Sequence, residues 1–251
     1  MKYETVSELL AWQPPQIPPI IGSGLLYPGS RAIVFGKWGT YKSMLAMHLG
    51  FCLTSGMPWL GFDTQKCSAM MVQVEITKVR FRERVEKYTR ATKSGYVPQE
   101  LYFVTEHYLR LDKEHSMREL RLMLTVLKPK VLILDPFYRM FSGDISDNFQ
   151  VQNALDKIDE ITLGDKDLAV VLVGHTRKLD NDPEKIAYRD WGQELIGGSY
   201  IMNWCDTAIA VEQTGEIDLN LHFVKARHSA DNLPNLPVRF NRETLRFGRI
   251  L

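Results

Sequence analysis

Cysteine is scarce in this chain: Cys52, Cys67 and Cys205 stand among 251 residues without metal-ligand spacing. That scatter argues against a zinc site or disulfide framework and leaves small buried thiols in a reducing compartment. Excess charge of one sign is missing as well. Lys and Arg number 31 against 30 Asp and Glu, a formal net charge of +1. No global attraction to nucleic acid follows, so any such surface must be local. No apolar run approaches membrane-spanning length and no signal peptide is evident, so a soluble cytoplasmic protein with no membrane partner is expected. Internal repeats and low-complexity tracts are also absent. What remains, 45% hydrophobic and 24% charged residues, is enough to bury a sizeable core in one α/β domain or two small ones.

The chain is organised around Gly36-Lys37-Trp38-Gly39-Thr40-Tyr41-Lys42-Ser43. An apolar run, residues 32–35, precedes it and a helix-like run, residues 44–49, follows. At a strand-to-helix junction, loop and helix N–H groups converge on phosphate, a Lys adds charge and a Ser hydroxyl reaches Mg²⁺. Tyr41 stands where the usual pattern has Gly. Its side chain must point away from the nucleotide, and Gly39 is the candidate to supply backbone freedom. The alternative is a tight turn that binds nothing.

Residues 1–30 read as an arm, with a helix-like patch at 6–12 followed by Pro14, Pro15, Pro18 and Pro19. Residues 69–75 form a strand closed by Glu75. A basic helix is expected at 79–93, with Phe81, Val85, Tyr88 and Thr92 on one face; its cations, Arg84 among them, make either a solvated face or a nucleic-acid or subunit contact. Ser116 is expected to cap a helix carrying Met117, Leu120, Leu124 and Leu127, with Glu119 completing a capping box. Residues 131–135 and 168–174 are continuous apolar runs, as strands buried on both faces of a parallel sheet are. They end at Asp135 and before His175. A helix with Val151, Leu155, Ile158 and Ile161 inward lies between them. Residues 178–194 read as a mixed-charge loop, 196–199 open a short helix, and strands at 207–212 and 219–225 and around Asn241-Arg242 finish the chain. The expected fold is α/β: a mostly parallel twisted sheet flanked by helices, with C-terminal antiparallel strands. Gly36, Glu75, Asp135 and His175 all fall at carboxyl ends of strands, where such sheets bind ligands.

A nucleoside triphosphatase needs phosphate-cradling amides, a Lys, a metal site, a group that orients water and positive charge on the transferring phosphoryl. Lys42 and Ser43 can serve phosphate and Mg²⁺, with Asp135 as the second metal group. Glu75 is the candidate general base; the alternative is a surface acid at a strand end. His175 either senses the γ-phosphate or is structural.

These residues, in this order and spacing, resemble the RecA-type P-loop ATPases, and within them the RepA-like group that includes plasmid and phage replicative helicases. The resemblance runs from about residue 25 to 229. It includes Leu25-Leu26-Tyr27-Pro28-Gly29, Trp59-Leu60-Gly61, Val74-Glu75, Leu134-Asp135-Pro136 and Gly174-His175-Thr176-Arg177-Lys178. Gly197-Gly198-Ser199, Asp206-Thr207-Ala208 and Lys225-Ala226-Arg227 complete it. It implies a RecA-like ATPase domain over 31–251, ATP as substrate and Mg²⁺ as cofactor. Glu75 would be the catalytic acid-base and Asp135 the Walker B acid. Lys225 and Arg227 would enter a neighbouring subunit's site in a homo-oligomer, expected to be a hexameric ring; otherwise they are solvated cations on a strand. Loops after the Asp135 and His175 strands would meet single-stranded DNA through Arg139, Arg177, Lys178, Lys185 and Arg189, with Phe137 and Tyr138 available for stacking. An unspecific loop is the alternative there. The expected function is a DNA-associated ring ATPase, a helicase or related motor. The alternative is a weakly hydrolysing nucleotide-binding scaffold that recruits partners. A metabolic kinase is disfavoured, because no acceptor pocket or lid is evident.

Overall fold

The continuous apolar runs become the centre of one sheet. The computed structural model describes residues 3–92, 97–105, 108–143, 147–177 and 189–250. Among them the strands are β1 (Arg31–Gly36), β2 (Ala69–Gln73), β3 (Leu101–Val104), β4 (Val131–Asp135), β5 (Ala169–His175), β6 (Thr207–Gln213), β7 (Asp218–Ala226), β8 (Leu236–Asn241) and β9 (Arg246–Arg249). Their spatial order is β3-β2-β4-β5-β1-β6-β7-β8-β9. From β3 to β6 neighbours run parallel, and from β6 to β9 antiparallel.

Side chains alternate across the sheet and feed two cores. Ala32 and Val34 of β1 join Met71 of β2 and Leu45 and Met47 of helix α2 (Lys42–Ser55) on one face. Phe81 and Tyr88 of α3 (Lys78–Arg90) complete that layer. Ile33 and Phe35 point the other way, to Leu120 of α4 (Glu114–Leu127), Ile158 of α5 (Asn148–Thr162) and Ile201 of α7 (Gly198–Trp204). Each buried Val, Leu, Ile, Met or Phe among them contributes about 1.5 to 3 kcal/mol. A short helix α6 (Trp191–Glu194) precedes α7. Helix α2 is buried almost all round, Met44 to Thr54, so the loop in front of it stands on a fixed base.

Three local expectations change. Ser116 does not cap α4: the helix begins three residues earlier than that cap would give, with Lys113 at the cap, and the Ser116 hydroxyl accepts from the Arg110 N–H at 3.2 Å. Helix α3 starts at Lys78 and ends at Arg90; Thr77 caps it by accepting from the Arg80 N–H. Strand β2 stops at Gln73, leaving Glu75 two residues beyond it. In the arm, α1 (Val6–Ala11) is closed by a reciprocal Thr5–Glu8 capping box, and residues 3–18 are exposed throughout. Ile20, Ile21, Leu25 and Leu26 are buried in the first core.

His48, on α2, is 6% exposed, and its Nδ1 lies 3.3 Å from the Tyr88 hydroxyl. Burial, with the nearby Arg246 charge, lowers its pKa to about 4. An unfolded His titrates near 6.5, so the neutral side chain supports the fold above that pH, and this contribution is lost as pH falls towards 4. The full loss is roughly 3 kcal/mol. Urea unfolding at pH 7.5 and pH 5 should therefore show wild type losing more stability than His48→Gln; equal losses would put the sensitivity elsewhere.

Candidate nucleotide-binding site

The site begins with the register of the sheet. Gly36 of β1 pairs with His175 of β5, and Gln73 of β2 with Asp135 of β4. Leu134 is level with Leu172, which is level with Ile33, so Asp135 sits two residues below Gly36 and His175, or about 7 Å along the strands. A step of that depth lets a loop at the top of β1 fold over a carboxylate beneath it.

Gly36 is required where it stands: a Cβ there would lie 2.4 Å from the Val211 carbonyl oxygen of β6. From Gly36 the chain rises through exposed Lys37, Trp38 and Gly39, the last at φ +85°, and turns back at buried Thr40. The Thr40 hydroxyl donates to the Lys37 carbonyl at 2.8 Å. Tyr41 forms the N-cap of α2 at φ 56° and ψ 18°, with no side-chain capping hydrogen bond. The first N–H groups of α2 therefore have no intrahelical or side-chain partner, which is the arrangement that receives an anion.

Lys42 is 5% exposed, and its ammonium donates to the Lys37 carbonyl at 2.7 Å and to the Thr40 hydroxyl at 3.3 Å. Burial lowers its pKa to about 8, against the pull of the Asp135 and Glu75 carboxylates. The Ser43 hydroxyl donates to Asp135 Oδ1 at 3.0 Å. Asp135 is 4% exposed, and burial raises its pKa to about 6, opposed first by the Ser43 hydrogen bond. A buried carboxylate held against a hydroxyl is a donor pair suited to a hard divalent cation. Among the described residues no group of three or more His, Cys, Asp or Glu could hold a metal by itself. A Mg²⁺ ion would thus depend on ligand oxygens besides Ser43 and Asp135, as it does beside a triphosphate.

Glu75 stands across from this pair. Buried Gln73 shapes its turn, accepting at Oε1 from the N–H groups of Glu75 and Ile76 and donating from Nε2 to the Ile76 carbonyl. Arg139, in the 3-10 turn Phe137–Met140 after β4, lies 3.9 Å from the Glu75 carboxylate. Tyr138 meets His175 edge-on with ring centroids 5.1 Å apart. Burial, with Lys42 nearby, lowers His175 to about 4, so it is neutral at pH 7.

Several expected residues are engaged elsewhere. Phe137 is 1% exposed and packs on Phe141 in the second core, so its ring is not open for base stacking. The Arg189 side chain is 9% exposed, 3.7 Å from Glu212 and over the Trp191 ring. Arg177 is exposed, and its N–H donates to the Glu194 carbonyl. Lys178 and Lys185 lie outside the described residues. Lys225 Nζ donates to the carbonyls of Met202 and Cys205 at 2.5 and 2.6 Å, closing the C-terminal end of α7. Arg227, just past β7, pairs with Asp206 at 2.8 Å. Strand β7 ends at Ala226, so Arg227 lies outside the strand that carries Lys225.

Sequence reading missed Gln73 and Arg84. Burial pulls the Arg84 pKa down, and the charges of Asp135 and Glu75 pull it up. The signal was present: 81, 84, 85 and 88 are the inward positions of α3, and a cation at one of them is out of pattern.

A phosphate loop at the end of a central parallel strand, with a buried Lys and a Ser–Asp pair, defines a P-loop nucleoside triphosphatase of RecA-like fold. The chain belongs to the AAA domain family (AAA_25), which matches residues 2–181. No curated protein matches the sequence. Solved structures share the fold. A KaiC-like protein, PH0186, from the archaeon Pyrococcus horikoshii OT3 is 14% identical at a TM-score of 0.63, over 92% of this chain and 94% of that one. The flagellar accessory protein FlaH from Methanocaldococcus jannaschii is 12% identical at 0.58, over 89% and 90%. A third structure, solved as an isolated ATPase domain, is 9% identical at 0.65, over 94% and 92%. No helix among the described residues is long and apolar enough to cross a membrane.

Proposed function

We propose that this chain is the ATP-hydrolysing unit of a homo-oligomeric ring that works on single-stranded DNA, a helicase or a related replication or recombination motor of phage or plasmid type. The amides opening α2 and the Lys42 ammonium hold the phosphates, while Ser43 and Asp135 hold Mg²⁺. The metal, when bound, neutralises charge on the phosphates. Glu75 orients and deprotonates the attacking water, and neutral His175 accepts or donates a hydrogen bond beside the γ-phosphate. The observation that carries the DNA coupling is the Arg139–Glu75 contact at 3.9 Å. A cation on a loop open to an anionic strand is there tied to the candidate base, so a strand that draws Arg139 away frees Glu75.

Register supports action between subunits. Ala226 is level with Thr207 and Ala32, four residues or about 13 Å below Gly36, and Arg227 lies farther still. Arg227 is thus remote from its own phosphate loop, which supports a role at another chain's site. The exposed arm offers Val6, Leu9, Leu10 and Trp12, 56 to 81% exposed, as apolar surface for such a neighbour. One feature favours a slowly hydrolysing scaffold instead: a bulky Tyr41 in left-handed backbone inside the loop.

Steady-state ATP hydrolysis with and without single-stranded DNA separates the two readings. A motor is expected to show DNA-stimulated turnover, and Arg139→Ala to raise the DNA-free rate while flattening the stimulation. Nucleotide binding with no turnover under either condition would favour the scaffold.

A further inference from the structure

The residue before Lys42 has to turn the chain with positive φ, and here that residue is Tyr41, at φ 56°. Left-handed backbone brings Cβ against the following carbonyl, a cost that glycine escapes. A bulky residue keeps such a conformation only when its surroundings hold it there.

Those surroundings come from the far end of the chain. The Tyr41 ring stacks on Phe240 of β8, with centroids 4.3 Å apart and planes at 28°. Phe240 is 3% exposed and is itself backed by Phe247 of β9 at 4.9 Å. The Tyr41 hydroxyl donates to the Glu216 carbonyl, in the β6–β7 turn, at 3.2 Å. It accepts from Arg242, in the β8–β9 turn, also at 3.2 Å. Arg242 and Glu216 close the arrangement with an ion pair at 2.7 Å. Two turns and one strand of the antiparallel extension thus grip one side chain of the phosphate loop. On its other side, the Tyr41 carbonyl accepts from the Leu45 N–H at 2.9 Å and so begins the first turn of α2.

We propose that Tyr41 is a positioning residue through which β8 and the two C-terminal turns hold the phosphate loop in its nucleotide-binding shape. The ring does the holding from outside the pocket, and the backbone it fixes presents the N–H groups of α2 and sets the course of Lys42. Glycine at this position would give the same shape without support. With Tyr41, the shape depends on Phe240. A shift of the β8–β9 pair is thereby transmitted to nucleotide affinity. The inference rests on the reading of this loop as a triphosphate site.

A double-mutant cycle tests it, with Mg-ATP affinity measured by titration calorimetry. Phe240→Leu keeps the core filled while removing the stack. It is expected to weaken binding about tenfold beside Tyr41 and by less than about twofold beside Tyr41→Gly, a coupling ordinary for residues in contact. Tyr41→Phe keeps the ring and should preserve the coupling. Equal loss in both backgrounds, or no loss in either, overturns the proposal, because Phe240 would then act through general stability or not at all. Hydrogen exchange of the amides of residues 41–45 in nucleotide-free protein is read in parallel. Phe240→Leu should speed it only beside Tyr41. Wild type that fails to bind Mg-ATP would defeat the triphosphate reading alone, and the exchange result would still decide the role of Tyr41.

Discussion

Lys42→Met is expected to lower ATP turnover by at least about a hundredfold, because it removes the positive charge that the proposed mechanism gives to the transferring phosphoryl group. The same variant is expected to be as stable as wild type, or more so, without nucleotide. Burial holds the folded-state pKa of Lys42 at about 8, below the 10.5 of a free lysine, so at pH 7 the protonated side chain opposes folding. Removing the ammonium while keeping the stem relieves roughly 3 kcal/mol, and the two charge-assisted hydrogen bonds to Lys37 and Thr40, about 1.5 kcal/mol or more each, largely offset that gain. Turnover and urea unfolding at pH 7 should be measured on one preparation. Wild-type turnover would refute the loop's role, and a large fall in stability would show that lost activity came from unfolding.

Glu75→Gln is expected to retain nucleotide binding while turnover drops by about a hundredfold or more, since the amide cannot take a proton from water. Arg227→Ala should show the same separation if it supplies charge to another chain's site. Mixing the two variants is the informative experiment. An interface between Glu75 of one chain and Arg227 of its neighbour is intact whenever the Arg227→Ala chain supplies the base and the Glu75→Gln chain the arginine. In random rings at equal ratio, about a quarter of interfaces meet that condition, and hydrolysis should recover accordingly. Recovery to nothing above the two separate rates would show that Arg227 supplies no charge to a neighbour's site.

The parallel strands and the phosphate loop were legible because their determinants are local. Continuous apolar runs ending at Asp135 and before His175 define buried strands without reference to anything distant, and the octapeptide at 36–43 carries its own turn and charge. Other features depend on partners remote in sequence. Tyr41 read as a departure to be tolerated, with Gly39 supplying the freedom. Both residues have positive φ, and the support for Tyr41 comes from Phe240, Glu216 and Arg242, some 175 to 201 positions away. Lys225 and Arg227 read as cations on one strand, but β7 ends between them at Ala226. Ser116 satisfied a capping pattern that the helix ignores, since Glu114, His115 and Ser116 itself extend it by three residues. Arg84 was grouped with solvated cations of α3 although its position on the helix is inward. Its acidic partners lie on other elements, so charge counting along the sequence could not find them.

The placement of β1 between β5 and β6 has a consequence for the order in which this molecule is made. Residues 31–36 leave the ribosome early, yet their pairing partners are residues 170–175 and 207–211. At ordinary elongation rates that is on the order of ten to forty seconds of synthesis. Until residue 170 this apolar strand has neither neighbour, and until residue 211 the loop it supports has no wall at Val211. Release of the nascent chain before residue 211 should leave a product that cannot bind nucleotide and that exposes a template for unintended strand pairing. Delayed closure of the central strand makes the C-terminal third a condition for the phosphate loop to exist at all.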